Sequence, residues 1–193
     1  IILQDYMIPM RNRKKTLEMT IEEMRNFSFA YIEKYAPSKQ QLRTYLLKKY
    51  LKANVPNVKK QDITDLIDIV LVDLEKSKFI SDKFYSESKS RSLIQRGNSI
   101  NKIRYYLMGK GINENYIKES IEKIKEENSD QDFFSGIKVC KKKRIGPARA
   151  EDNRPLFYKK DISLLARNGF NFETSKRIMD IEQSEYLKII KLL

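Results

Sequence analysis

The chain has 193 residues, of which 40% are hydrophobic and 34% are charged. This length is enough for a packed core, but six glycines and five prolines are too few for the frequent turns of a barrel or sandwich, which excludes an all-β fold. The absence of histidine excludes an imidazole base, a Ser-His-Asp triad and histidine-ligated metals. The single cysteine, Cys140, is expected to be a small buried hydrophobe in a reducing, cytoplasmic environment.

The net charge is +13, from 39 Lys and Arg against 26 Asp and Glu, and a balance this basic attracts polyanions. The excess lies at the two ends, because residues 1–60 carry +8, 61–97 carry −1, 98–128 carry +1 and 129–193 carry +5. The longest apolar run, Leu66 to Leu74, is interrupted by two aspartates and is too short to span a bilayer. We therefore expect a nucleic-acid-associated protein with no membrane partner.

The first third of the chain predicts an arm and three helices. Residues 1–19 are basic and lack apolar periodicity, which predicts a mobile N-terminal arm. Capping-box patterns at Thr20 and Ser38 predict the starts of two helices, and Asp62 is predicted to cap a third. The apolar face of that third helix follows the helical period through Ile63, Leu66, Ile67, Val70, Leu71 and Leu74.

The remaining sequence repeats this organisation twice. Helices are predicted over 81–95, 100–110 and 116–125, and the third pass begins near residue 132, breaks at Gly146-Pro147 and resumes over 158–168. The segments Tyr106–Ile112 and Leu164–Phe170 align around a glycine that is expected to end a helix, and Tyr45–Leu51 aligns more weakly.

These patterns predict an all-α fold, an elongated and curved array of three tandem three-helix repeats at 20–80, 81–128 and 129–193, after an N-terminal arm at 1–19. The alternative is one irregular helical bundle. Stacked repeats would offer a long concave surface to a partner.

Two patterns have competing chemical interpretations. Asp62, Asp65 and Asp68 recur every three residues and could form a hard-metal site, but a helix start followed by a solvated face explains them better. Aromatic residues alternate with basic ones in the middle of the chain, a pattern that suits stacking on single-stranded bases. Among these, Phe84 and Tyr106 are predicted to be core residues, and the register leaves Tyr105 undecided.

Dispersed motifs resemble one bacterial protein family. Lys78–Phe84 is similar to the signature that opens the middle unit of the RecX regulatory proteins, and Arg91, Arg96-Gly97, Ile103–Leu107, Lys110-Gly111-Ile112 and Ile117 continue it in order. The third unit adds Lys142–Pro147 and Leu164–Phe170, so the resemblance covers about residues 25–181. The chain departs from the family pattern at Tyr50, which stands for a turn glycine, and at Tyr85, Ser86 and Asn168.

The resemblance implies a non-enzymatic modulator, mainly an inhibitor, of the RecA recombinase in DNA repair, recombination and the SOS response. Such a protein lies along the groove of the RecA filament on single-stranded DNA and restrains ATP hydrolysis, strand exchange and co-protease activity. The expected partners are the RecA filament and the DNA phosphate backbone, single-stranded or double-stranded. The resemblance implies a cytoplasmic monomer without a cofactor.

Basic side chains are the candidate contacts with filament and DNA. The first set is Lys141, Lys142, Lys143, Arg144 and Arg149, and the second is Arg91, Arg96, Lys102 and Arg104. A general helical DNA- or RNA-binding protein that acts without RecA is the main alternative. A nuclease that uses carboxylate-bound metal at Asp62, Asp65 and Asp68 is the second.

Overall fold

A computed structural model describes residues 17–53 and 58–193. Within these residues the chain is all-helical, as predicted, and none of its helices is long and apolar enough to cross a membrane. The helices are α1 (Ile21–Tyr35), α2 (Lys39–Ala53), α3 (Lys60–Lys76), α4 (Asp82–Gln95), α5 (Ile100–Met108), α6 (Glu114–Glu127), α7 (Gln131–Lys143), α8 (Arg154–Arg167), α9 (Phe172–Met179) and α10 (Gln183–Leu192). Two short 3-10 turns, Gly146–Ala148 and Glu151–Asn153, connect α7 to α8.

Side-chain caps fix where the first helices begin. The Thr20 hydroxyl accepts the N–H of Glu23, and at Ser38 the hydroxyl accepts the N–H of Gln41 while the Gln41 amide oxygen accepts the N–H of Ser38. Both predicted starts are confirmed. The prediction for Asp62 is wrong by one turn, because α3 begins at Lys60 and the Asp62 carboxylate reaches back from inside it to the N–H of Lys59.

Three separate apolar cores follow one another along the described chain. The first joins α1, α2 and α3 and contains the predicted α3 face, with Leu66 at its edge. The second joins α4, α5 and α6, and the third joins α7 to α10. We call these helix groups units 1, 2 and 3.

Unit 3 differs from the predicted three-helix pattern. It contains a fourth helix, α10, whose Tyr186 is buried in the third core beside Ile178 and Met179. The break after α7 occurs where predicted, with Gly146 and Pro147 in a buried 3-10 turn. The shape of the array, elongated and curved, stays a prediction.

Most of the predicted arm, residues 1–16, lies outside the described residues. Its described end contacts unit 1, because Met19 packs against the first core and the Glu18 carbonyl accepts a long 3.4 Å hydrogen bond from the Tyr50 hydroxyl. Tyr50 is itself fully buried in that core. The Tyr50 ring therefore packs in the core of unit 1, although the family pattern has a turn glycine at this position.

Units 1 and 2 are joined at the start of α2. The buried Ser38 hydroxyl, which begins α2, donates to the carbonyl of Lys110 just after α5 (2.8 Å). The next amide, Lys39 N–H, donates to the Asp82 carboxylate at the start of α4 (2.8 Å). The start of α2 in unit 1 is thus bonded both to the segment that ends α5 and to the start of α4 in unit 2. These bonds satisfy backbone groups that helix ends leave without partners.

Units 2 and 3 are joined by the same pair of bonds. The buried Ser99 hydroxyl at the start of α5 donates to the carbonyl of Asn168 after α8 (2.8 Å), and Ile100 N–H donates to Asp132 in the first turn of α7 (2.7 Å). Helices α4 and α7 also pack directly across this junction. Burial raises the pKa of Asp132, as it does that of Asp82, so both carboxylates are held in partly desolvated sites.

A glycine follows each carbonyl that accepts a junction bond. Gly111 and Gly169 have φ of +74° and +90°, a conformation that side chains with a Cβ rarely adopt. A Cβ on Gly111 would lie 2.6 Å from the Cβ of Gln40 in α2, and one on Gly169 would collide with the Ser99 hydroxyl. The junctions therefore require these glycines both for backbone conformation and for close approach.

Replacing Gly111 with Ala should lower the free energy of unfolding by about 1–3 kcal/mol, because the methyl group is strained at positive φ and displaces α2. Gly109→Ala is the matched control two residues away, where φ is −65° and the added Cβ meets only carbonyl oxygens at 3.4 and 3.5 Å. It should leave stability unchanged or raise it slightly. Urea unfolding of both variants checks this, and equal stabilities would contradict the junction role of Gly111.

Candidate nucleic-acid interface

The predicted lysine cluster lies at the end of α7. Ile137 and Cys140 point into the third core, so the next four side chains, Lys141 to Arg144, project from the last turn into solvent. None of the four forms an ion pair with a described residue. Cys140 is buried, as predicted, and burial raises the pKa of its thiol to about 12.

Arg149 has a different environment from its predicted partners. Its guanidinium makes two hydrogen bonds to Asp161, at 2.6 and 3.0 Å, and lies over the ring of Phe157. Asp161 is 1% exposed and also accepts the N–H of Gly146 (2.8 Å). Burial alone would raise the pKa of Asp161, but these hydrogen bonds outweigh it and the pKa lies below its usual value. Arg149 therefore helps to hold the turn after α7 in place. Unlike the lysines of the cluster, it has its charge paired with an acid.

The second predicted set is dispersed over unit 2. Arg91 pairs with Glu127 (3.2 Å) and Arg104 pairs with Glu114, so both charges are already neutralised. Arg96 is exposed at the end of α4 without an ion pair to a described residue, and Lys102 points toward the Asn168 side chain at the second junction. The four residues therefore differ in their partners, and their joint role in binding stays a prediction.

One of the two aromatic core predictions is wrong by one residue. Phe84 is 72% exposed, so its predicted core role is wrong, and the neighbouring Tyr85 is buried in its place. Tyr106 packs partly against the second core, as predicted, while Tyr105 is 72% exposed. Since α4 begins with its Ser81 cap, the inward face of its first turn falls on Tyr85.

A basic and aromatic groove that the sequence analysis did not identify lies at the first junction. It has a cavity volume of about 550 Å³ between α1 and α2 of unit 1 and the end of α5. Its lining, here called the junction groove, is Tyr31, Gln40, Gln41, Thr44, Tyr45, Lys48, Lys49, Lys52, Gly109 and Lys110. The α2 part was detectable, because positions 45, 48, 49 and 52 share one helical face. Tyr31 lies on α1 and Lys110 lies just after α5, and neither has such a signal in the sequence.

The three aspartates that suggested a metal or nuclease site have structural partners. Asp62 bonds to the start of α3, Asp65 accepts from the Gln61 amide, and Asp68 forms two hydrogen bonds with Arg43 at 2.8 and 2.9 Å. The hydrogen bonds from Arg43 lower the pKa of Asp68. Across residues 17–53 and 58–193, no three potential metal ligands lie close enough to hold an ion.

Two proteins that share one name are similar to this chain in sequence. No protein-family model matches the chain. It is 26% identical over 176 residues to the regulatory protein RecX of Myxococcus xanthus, a match that covers 88% of this chain and 91% of the relative. It is 27% identical over 128 residues to the regulatory protein RecX of Clostridium botulinum, covering 66% of this chain and 57% of that relative.

A solved crystal structure of a regulatory protein RecX has the same fold. The TM-score is 0.58 at 18% sequence identity, and the match covers 83% of this chain and 74% of that one. The helical arrangement described above is therefore one that a solved structure also adopts.

The buried Arg149–Asp161 pair gives a stability prediction. Asp161→Asn leaves Arg149 without its carboxylate, and we expect a loss of about 3 kcal/mol near pH 7. Because the folded-state pKa of Asp161 is lowered, its contribution is present above the unfolded pKa of about 3.9 and is lost as the pH falls through the folded value. The difference between wild type and variant should therefore shrink below about pH 4.

Asp130→Asn is the control, since Arg177 and Asp130 form the same two-bond pair, both at 2.9 Å, on an exposed surface. It should cost less than about 1 kcal/mol. Urea unfolding from pH 3 to pH 8 measures both variants, and equal losses would show that burial does not distinguish the two pairs.

Proposed function

We propose that this chain, a regulatory protein of the RecX family, inhibits a RecA recombinase by binding along the groove of its filament on single-stranded DNA. Bound in this way, it would restrain ATP hydrolysis, strand exchange and co-protease activity. It acts as a cytoplasmic monomer and performs no bond-making step of its own. The names of the two relatives and the shared fold support the regulatory role.

The main support for the proposal is an exposed basic cluster at the end of α7, in a chain whose helical units follow one another. Lys141, Lys142, Lys143 and Arg144 project from α7 without ion pairs to described residues, while Arg91, Arg104 and Arg149 are neutralised by acids. A filament repeats one binding surface along its length, and several linked units can contact it at once. Many modest contacts then give high avidity, and lysines near the phosphates release counterions.

Inhibition follows from preference for one filament state. A ligand shifts an equilibrium only by the difference between its affinities for the two states. We therefore expect the protein to bind the inactive or disassembling form more tightly than the form that hydrolyses ATP. No catalytic group is needed for this effect.

A general DNA- or RNA-binding protein that acts without RecA is the second candidate, favoured by the same exposed lysines. It predicts tight, salt-dependent binding to naked duplex and indifference to recombinase. ATP hydrolysis by a RecA filament on single-stranded DNA separates the two candidates. Equimolar protein at low salt should slow hydrolysis and shorten filaments, and unchanged rate and length would contradict the proposal.

The α7 cluster can be tested within that assay. K141Q/K142Q/K143Q should weaken inhibition and lower the slope of log affinity against log salt by about one for each lost phosphate contact. K118Q/K125Q/K159Q is the control, because it removes the same charge from exposed positions on α6 and α8. It should retain inhibition. A slope that is unchanged in the α7 variant, or lowered equally in both, would exclude direct phosphate contact at the cluster.

A further inference from the structure

The junction groove has four lysines among its lining residues. Lys48 and Lys52 are exposed, Lys49 and Lys110 are half-buried, and none of the four forms an ion pair with a described residue. Among the described residues that line the groove, none is Asp or Glu. Four ammonium groups around one cavity repel one another, and this repulsion is relieved when an anion enters.

Two aromatic residues of the lining, Tyr31 and Tyr45, lie beside these lysines, and the rings of Tyr35 and Phe27 are close to them. The rings of Tyr31 and Tyr45 are stacked, with centroids 4.1 Å apart and planes within 10°. The ring of Tyr35, 57% exposed, continues the series 4.7 Å from Tyr31 at a tilt of 46°. The Lys49 ammonium lies 3.8 Å from the centroid of the Phe27 ring, which holds its charge against the aromatic surface.

Hydrogen-bonding groups complete the lining. The Gln40 side chain makes no hydrogen bond with described residues, and Gln41 uses only its carbonyl oxygen, in the α2 cap. An amide that has donors and acceptors available can bond to the edge of an unpaired base. The groove therefore offers lysines, flat rings and amides within one cavity of about 550 Å³.

We propose that the junction groove is a binding site for single-stranded nucleic acid. Lys48, Lys49, Lys52 and Lys110 neutralise backbone phosphates, and an unpaired base extends the stack that Tyr31 and Tyr45 begin. In a duplex the base faces are stacked on one another, so a duplex would contact the lysines but could not stack on the tyrosine rings. An acidic peptide likewise uses the lysines but leaves the rings without a stacking partner.

This proposal rests on the proposed function in one respect: in both, the protein contacts single-stranded nucleic acid. It locates a contact with the strand itself, at the junction of units 1 and 2 and apart from the α7 cluster. Its test uses nucleic acid without recombinase. A protein that inhibits a RecA filament but does not bind a bare single strand would overturn the groove assignment and leave the proposed function standing.

Fluorescence anisotropy with labelled dT20 measures the lysine contribution. K48Q/K49Q/K52Q should lower affinity at least tenfold and reduce the salt slope by about 2, since each lost contact on a single strand contributes about 0.7. K118Q/K125Q/K159Q removes the same charge elsewhere and should change affinity less than threefold. Equal losses in the two triple variants would overturn the proposal, because they would reflect net charge alone.

Variants of Tyr45 distinguish a ligand whose bases stack on the ring from one that offers only negative charge. Tyr45→Leu should weaken dT20 binding about tenfold with an unchanged salt slope, while Tyr45→Phe, which keeps the ring, should bind like wild type. A 20-base-pair duplex and a deca-glutamate peptide should bind more weakly than dT20, and U20 shows whether the sugar matters. Tighter binding of duplex or peptide than of both single strands would overturn the proposal.

Photocrosslinking tests the same contact in the wild-type protein, so its result does not depend on whether the Tyr45 variants fold. An oligonucleotide that contains 5-iododeoxyuridine crosslinks to aromatic rings on which it stacks, and wild-type protein should yield crosslinked peptides from α1 or α2. Crosslinks confined to Phe84 or Tyr105, which are both 72% exposed in unit 2, would place the strand elsewhere and overturn the assignment.

Discussion

A buried serine hydroxyl that donates to a backbone carbonyl just after the next unit's second helix holds neighbouring units together. Ser38 and Ser99 both do this, and in each case the following amide bonds to an aspartate, Asp82 or Asp132, at the start of another helix. Helix ends leave amides and carbonyls without partners, and burying them unpaired is costly. The two junctions satisfy those groups and fix each unit against the next. The junction groove exists because the first of them holds α2 beside the end of α5.

The distribution of charge follows from this scaffold. Ion pairs within the units involve many of the acids, as between Arg43 and Asp68 or between Lys123 and Glu87. Exposed pairs of this kind contribute little stability, but they cancel charge locally. Basic side chains without an ion pair to a described residue include Lys48 and Lys52 on α2 and Lys141 to Arg144 at the end of α7.

Much of the fold could be predicted because its signals are local. The caps at Thr20 and Ser38, the α3 face and the turn at Gly111 each depend on a few consecutive residues. The fourth helix of unit 3 and the exposure of Phe84 depend on how helices rotate and pack, which periodicity does not specify. The site was harder still. Arg149 was grouped with the lysines by proximity in sequence, and Asp161, the acid that neutralises it, lies twelve residues away on another helix. The junction groove combines residues of α1, α2 and the segment just after α5, and only the α2 residues form a pattern that the sequence shows.

The most direct measurement is electron microscopy of RecA filaments on single-stranded DNA with this protein bound. The account predicts additional helical density in the filament groove, with α2 and the end of α7 facing the nucleoprotein and successive units contacting successive RecA subunits. Filaments that carry no additional density at saturating protein, or density with both lysine-bearing surfaces turned toward solvent, would contradict it.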